Sequence, residues 1–191
     1  MRKQTALTLG LMLAAITGPA AAESFTIDAT HAHAGFRVTH FGFSNTLGQF
    51  REIAGTLEFD EAKPEASTVS VTIKTASVDT ALEARDEHLR KADFFNVDAF
   101  PEMTFTSTAI DVTGDKTAKI TGDLTLLGVT KPVVLDTVFN QAGPHPMEKT
   151  RYVAGFSARG SLKRSDFGMV YAAPAIGDEI ELIIDVEAVR N

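Results

Sequence analysis

The chain of 191 residues contains no cysteine and no tryptophan, and only two tyrosines. Without cysteine there are no disulfides, no thiolate metal ligands and no thiol nucleophile. Cationic clusters are also lacking. Eighteen Lys and Arg stand against 25 Asp and Glu, for a formal net charge of −7. That balance argues against DNA or RNA as a partner, because phosphate binding needs grouped cations. It also disfavours electrostatic docking on an anionic membrane. Enzyme signatures are missing. There is no phosphate-binding Gly-rich loop. Gly155-Phe-Ser-Ala-Arg-Gly160 has its second glycine one place late for a nucleophile elbow, and Asp166-Phe-Gly168 lacks the companion loops of a kinase. Internal repeats and low-complexity stretches are absent. No segment after the first 22 residues is long and apolar enough to span a membrane.

What is present begins with residues 1–22, MRKQTALTLGLMLAAITGPAAA. A basic start (Arg2, Lys3), an apolar stretch from Leu7 to Ile16 and the small residues Ala20 to Ala22 give the three-part layout of a secretory signal peptide. Cleavage leaves one domain, Glu23–Asn191, of 191 − 22 = 169 residues, and losing two cations takes the charge from −7 to −9. The expected location is the periplasm of a Gram-negative host. A disulfide-free chain there must rely on its hydrophobic core, and this length suffices for one.

Period-two alternation dominates the mature chain. Phe36, Val38 and His40 alternate with Arg37, Thr39 and Phe41. Leu57 and Phe59, Val69 to Ile73, Met103 and Phe105, Ile120 to Leu126, Ala154 to Ala158, and Ile180 to Val186 repeat the pattern. Each segment has one apolar and one wetted face, as in antiparallel sheets. About eight such strands must bury their common apolar face, in a sandwich or in a closed barrel. The barrel also removes exposed edges.

One segment departs from the pattern. Thr80-Ala-Leu-Glu83 fits a capping box, with Thr80 as N-cap, and predicts a helix over about 81–91. Leu82 and Leu89 share a stripe with Arg85 and Asp86. Charge inside an apolar stripe needs a partner. The helix is therefore expected to close one end of the barrel, with Arg85 and Asp86 at the join and Phe94-Phe95 re-entering the core.

Taken in order, the motifs resemble the YceI-like family of secreted bacterial proteins. The matching pieces are Phe25-Thr-Ile-Asp28 with His31, Phe36-Arg-Val-Thr-His40, Gly48-Gln-Phe50 and Gly55-Thr-Leu-Glu-Phe-Asp60. Arg85-Asp-Glu-His-Leu-Arg90 with Ala92-Asp-Phe-Phe95 and Phe100-Pro-Glu-Met-Thr-Phe105 follow. Gly122-Asp-Leu-Thr-Leu126, Gly128-Val-Thr-Lys131, Gly155-Phe-Ser and Arg164-Ser-Asp-Phe-Gly168 complete the set. His33 departs from the small or apolar residue expected there. The resemblance implies an all-β, eight-stranded antiparallel lipocalin-like barrel with one helix at its mouth. It further implies an apolar tunnel for a polyisoprenoid or similar long-chain amphiphile, often a homodimer, and no established catalytic activity.

Two readings of the inward side chains stay open on pattern alone. In a solid barrel they are core; in a hollow one they line a tunnel, and eight strands lie at the boundary. The resemblance favours the hollow form. The expected ligand wall is then Phe36, Val38, His40, Phe50, Leu57, Phe59, Val71, Phe105, Ile120, Leu124, Phe156 and Ile184. From the helical segment Arg85, Asp86, His88, Leu89, Phe94 and Phe95 join it. Arg85 and Asp86 lock the helix to the rim through hydrogen bonds to strand ends, or Arg85 or His88 meets a ligand head group, and both can hold at once. His31 and His33, two apart on a strand, have a minimal metal-ligand spacing without a third ligand, so no metal or other cofactor is expected. His145, between two prolines, looks incidental. The function expected is transport, storage or sequestration of a long-chain lipid. The alternatives are an enzyme acting on such a lipid through His40 or His88, and a stress-related protein with a packed core.

Overall fold

The alternating segments form strands. The structure, a computed structural model, describes residues 22–191, so the expected signal peptide lies outside the described residues apart from Ala22. Ten strands are formed: β1 (Glu23–His40), β2 (Ser44–Phe50), β3 (Ile53–Phe59), β4 (Thr68–Lys74), β5 (Val78–Asp79), β6 (Glu102–Gly114), β7 (Thr117–Leu126), β8 (Val129–Pro144), β9 (Tyr152–Lys163) and β10 (Ile176–Arg190). Among the described residues one α-helix, α1, is formed, over Glu83–Leu89.

Eight strands make a closed antiparallel ring in the order β1, β3, β4, β6, β7, β8, β9, β10, with β10 pairing back to β1. The long β1 reaches beyond β3. Its second half pairs with β2 instead, from Ala34 opposite Phe50 to His40 opposite Ser44. β2 in turn meets only β5, through Gln49–Asp79 and Phe50–Val78.

The ring closes where alternation is clearest. On β10, Ile180, Leu182 and Ile184 face inward, and on β1 Phe36 lies opposite Leu182. The outward Arg37 and Glu181, also in register, form an ion pair across the strands. Beyond the pairing, Arg190 binds Glu23 at 2.9 Å and the Asn191 N–H donates to the Ser24 carbonyl at 3.0 Å.

Two hairpins turn through paired positive-φ residues, Phe41-Gly42 and Leu127-Gly128. Both central residues at positive φ match the twist of the flanking strands, and glycine at the second adopts it without strain. Two other glycines serve packing. A Cβ on Gly48 would lie 2.3 Å from the Phe36 ring, and one on Gly122 would lie 2.3 Å from the Phe105 ring. Each ring lies over a glycine of the neighbouring strand and seals the wall there.

Buried side chains form two clusters; the larger, with Phe50, Val78, Phe94, Phe95, Met103 and Phe167, packs the end covered by α1, and the smaller packs the other end. Phe25, Ile27, Leu57, Ala154 and Ala188 are buried there, with Phe59, Tyr152 and Phe156 packed against them. The register of β1 with β10 slips between Ile27 and Ala32. Asp28, in that irregular stretch, accepts the Thr30 N–H at 3.0 Å and the Thr30 hydroxyl at 2.6 Å. It also pairs with His31 at 3.2 Å and Arg151 at 2.9 Å. The Thr30 hydroxyl first of all, then His31, the Thr30 N–H and Arg151, hold its carboxyl well below the usual carboxylate range.

The slip also separates the two histidines expected on one strand face. His31 turns to Asp28, whereas His33 bonds Gln49 on β2 at 3.0 Å. No group of three or more metal-ligating side chains is found among the described residues.

The expected capping box does not form. The N-cap is Leu82, which makes no side-chain cap bond, and the helix is shorter than the predicted 81–91. Asp86 reaches back instead. Its Oδ1 accepts the Thr80 N–H at 2.9 Å and the Thr80 hydroxyl at 2.5 Å. Ala81 turns through φ 61°, and Leu82 is left 53% exposed rather than stacked over Leu89. A buried carboxylate bonded twice by one residue outweighs a solvated N-cap bond.

Candidate functional site

Inward side chains of eight strands can fill a barrel or leave it hollow. Here they leave a cavity of about 880 Å³ that spans the barrel lengthwise. One end is bordered by His40, Phe41, Arg85, His88 and Tyr171, and the other by Glu58, Glu61, Asp115, Lys116 and Thr117. Along β7 the wall runs from Thr117's hairpin to Leu126. Nine strand steps at about 3.3 Å give roughly 30 Å of wall, or about 23 Å along the axis at a tilt near 40°. A lumen of that length and volume fits a long chain better than a compact ring compound.

Most of the expected ligand residues lie on this wall. Phe36, Val38, Phe105, Ile120, Leu124 and Ile184 line its middle, and Leu57, Phe59, Val71 and Phe156 its lower part. His40, Phe50, Arg85, His88, Leu89, Phe94 and Phe95 line the end covered by α1. Asp86 does not reach the cavity. It is 3% exposed and committed to Thr80, so its place is to fasten the helix.

Residues 75–101 fasten this end at several points. The Thr75 hydroxyl donates to the Phe100 carbonyl at 2.7 Å, and the Thr75 N–H to the Pro101 carbonyl at 3.0 Å. Arg90 Nε donates to the Ala76 carbonyl at 3.0 Å, while its guanidinium pairs with Glu83. Arg85 binds Thr80 twice, through Nε to the hydroxyl and Nη2 to the carbonyl, each at 2.6 Å. Phe95 stacks edge-on against Phe50 at 5.3 Å. His88 pairs with Asp93 at 3.0 Å and packs edge-on against Phe94 and Tyr171.

Several wall residues escaped the sequence reading. Val133 and Leu135 sit in the run Pro132-Val-Val-Leu135, where the outward Val134 hides the alternation. Arg164 was visible only as part of a motif. It is 2% exposed, borders the cavity and donates to the carbonyls of Gly177 (2.8 Å), Met169 (2.8 Å) and Ile176 (2.9 Å). Burial pushes its guanidinium below the ordinary arginine value, with the Asp178 charge opposing. Arginine nevertheless keeps its proton in proteins. It holds the loop carrying Met169 and Tyr171 against the barrel end, and both of these also line the cavity.

No helix among the described residues is long and apolar enough to cross a membrane.

Comparison with known proteins places this geometry. The model of the YceI-like domain matches residues 25–188. Protein YceI of Salmonella heidelberg is 46% identical over 188 residues, covering 96% of this chain and 97% of its own. A crystal structure of the Campylobacter jejuni YCEI protein superposes with a TM-score of 0.73 at 36% identity, over 80% of this chain and 90% of that one. A polyisoprenoid binding domain from Saccharophagus degradans, implicated in plant cell wall breakdown, shares the fold with a TM-score of 0.66 at 13% identity. That match covers 88% of this chain and 99% of that one.

Proposed function

The chain belongs to the YceI-like family, and from that premise we propose that it carries or stores a polyisoprenoid or similar long-chain amphiphile in the barrel lumen. The observation that carries this reading is the cavity of about 880 Å³, walled by apolar side chains from one end of the barrel to the other. A solid core would have interlocked the rings of Phe36, Phe105 and Phe156; instead these rings border open space. The polyisoprenoid-binding domain that shares the fold supports the choice of ligand class.

The physical chemistry is sufficient for binding. A tail that removes roughly 500 Å² of apolar surface from water gains on the order of 10 kcal/mol. Ordering a flexible chain offsets much of this, which leaves micromolar or tighter affinity within reach. Our reading places the protein in the periplasm, where such a tail cannot cross water unaided. The signal-peptide layout of residues 1–22 supports that placement.

The test is organic extraction of gently purified protein followed by mass spectrometry. A co-purifying long-chain lipid, or saturable uptake of an added prenol, is the expected result. Empty extracts together with no uptake of any long-chain probe overturn the proposal.

A further inference from the structure

Large apolar side chains reach the solvent together on two adjacent loops. Phe41, Phe43 and Leu47 are exposed on the β1–β2 hairpin, and Val170 and Tyr171 on the loop before β10. The loops are tied to each other. The Phe41 N–H donates to the Ala175 carbonyl at 2.7 Å, and His40 lies in register with Ile176. Phe41 and Tyr171 also border the cavity, so the patch is continuous with the mouth of the barrel. Both loops are uncharged as well. Residues 40–50 and 167–177 contain no Asp, Glu, Lys or Arg, where a chain with 23% charged residues would place about five. The loops at the opposite end carry Glu61 and Lys63, Asp115 and Lys116, and Glu148 and Lys149.

Burial within the fold accounts for neither ring of the hairpin. Phe43 is 93% exposed, held out in water by a tight turn that its N–H closes onto the His40 carbonyl at 3.1 Å. Phe41 has φ 51° and is more than half exposed, at a turn position that Asn or Gly fills more readily. With roughly 200 Å² for a whole aromatic side chain, the exposed parts of Phe41, Phe43, Val170 and Tyr171 come to about 500 Å². A stable protein interface takes about 800 Å² from each partner. This patch is smaller, and its crest is a hairpin that reaches beyond β3 rather than a flat face. A fluid lipid surface needs no complementary shape and accepts apolar tips with aromatic side chains at its boundary.

We propose that this patch docks the protein on an electrically neutral lipid bilayer, with Phe43 and Val170 entering the acyl region and Tyr171 at the level of the head groups. The attraction is apolar and not electrostatic, because the chain is anionic and the two loops hold no cation. Across the mouth, α1 and the residues after it expose Glu83, Glu87 and Lys91, so that side of the rim stays in water. Docking goes beyond the lipid-carrying reading. The surface is complete whether or not the lumen is filled; where the lumen takes a lipid, docking sets the mouth against a source of it.

The experiment is flotation with phosphatidylcholine vesicles, with and without added phosphatidylglycerol. It uses the chain from Glu23 onward, which holds the closed barrel entire, so residues 1–22 contribute nothing to binding. The protein is expected to float with the vesicles equally at low and high salt, and no better when phosphatidylglycerol is added. Phe43→Ser weakens vesicle binding about tenfold to a hundredfold, as expected when one aromatic side chain is no longer buried. Val170→Ser weakens it less. Met147→Ser, at a site 89% exposed in the β8–β9 loop of the opposite end, leaves it unchanged. Phe43→Ser also keeps the thermal midpoint and the uptake of a prenol from solution, since Phe43 does not line the cavity. No flotation of the unsubstituted protein, or equal flotation of Phe43→Ser, overturns docking and leaves the lumen reading standing. Binding that vanishes with salt overturns it too, as does a dimer in solution that Phe43→Ser splits, which assigns the patch to a second copy. Empty extracts and no prenol uptake, with flotation intact, overturn the lumen reading alone.

Discussion

Ala158 offers a way to divide the lumen. It lies midway along β9, opposite Thr137 on β8 and Ile184 on β10, and its side chain lines the cavity. In Ala158→Phe a ring is added at a buried position that borders the cavity, and the fold is expected to survive because the ring has that space to turn into. The ring denies a long tail the half of the wall beyond it. If a full-length tail gains on the order of 10 kcal/mol, half of that is about 5 kcal/mol. Some of the loss is returned because the excluded half no longer has to be ordered. A net penalty near 3 kcal/mol remains, or about a hundredfold weaker binding. Titration with a prenol long enough to span the barrel reads the loss, and a prenol of half that length should bind with little change. Val138→Phe, on the outer face at 42% exposure, serves as the control for adding a ring to the sheet. Unchanged affinity for the long prenol in Ala158→Phe, with an intact far-UV spectrum and thermal midpoint, would refute the idea of one continuous lumen.

Asp86→Ala removes two hydrogen bonds to a buried carboxylate and is expected to lower stability by about 3 kcal/mol in urea denaturation, with Asp86→Asn losing less. Amide exchange in 83–95 should accelerate alongside. Asp28 titrates lower in the folded chain than in the unfolded one, so its contribution is full above the unfolded value near 3.9 and is lost as pH falls through the folded value. Urea midpoints measured at pH 6 and pH 3 should therefore differ more in the unsubstituted protein than in Asp28→Asn; equal differences would dismiss the role of this carboxylate.

The strands were legible because their inner and outer faces differ in chemistry. Ile180, Leu182 and Ile184 against Glu179, Glu181 and Asp185 leave one arrangement on a half-buried sheet. Where both faces are apolar, as at Val133-Val134-Leu135, the signal vanishes. The helix was legible by its break in period, but its start was not. Thr80 and Glu83 have the right spacing for a capping box, and only the folded chain shows Asp86 taking Thr80 first. Ala154 is a similar case. It shares an inward face with Phe156 and Ala158, yet it is fully buried in the smaller apolar cluster and does not line the cavity, so a bulky residue there would disturb packing and not block a tunnel. Gly122, also inward by alternation, is already covered by Phe105. Alternation gives the side of the wall, and not the height at which packing gives way to space.

The pairing of β10 with β1 has a consequence for the order of events in the life of the molecule. The two strands that meet are the outermost in the described chain, so the enclosure is open along one flank until the last strand docks. Nothing can be sealed inside while the polypeptide is still emerging. If the lumen holds a lipid as proposed, a lipid loaded after closure enters by way of the rim, past the fastenings of residues 75–101.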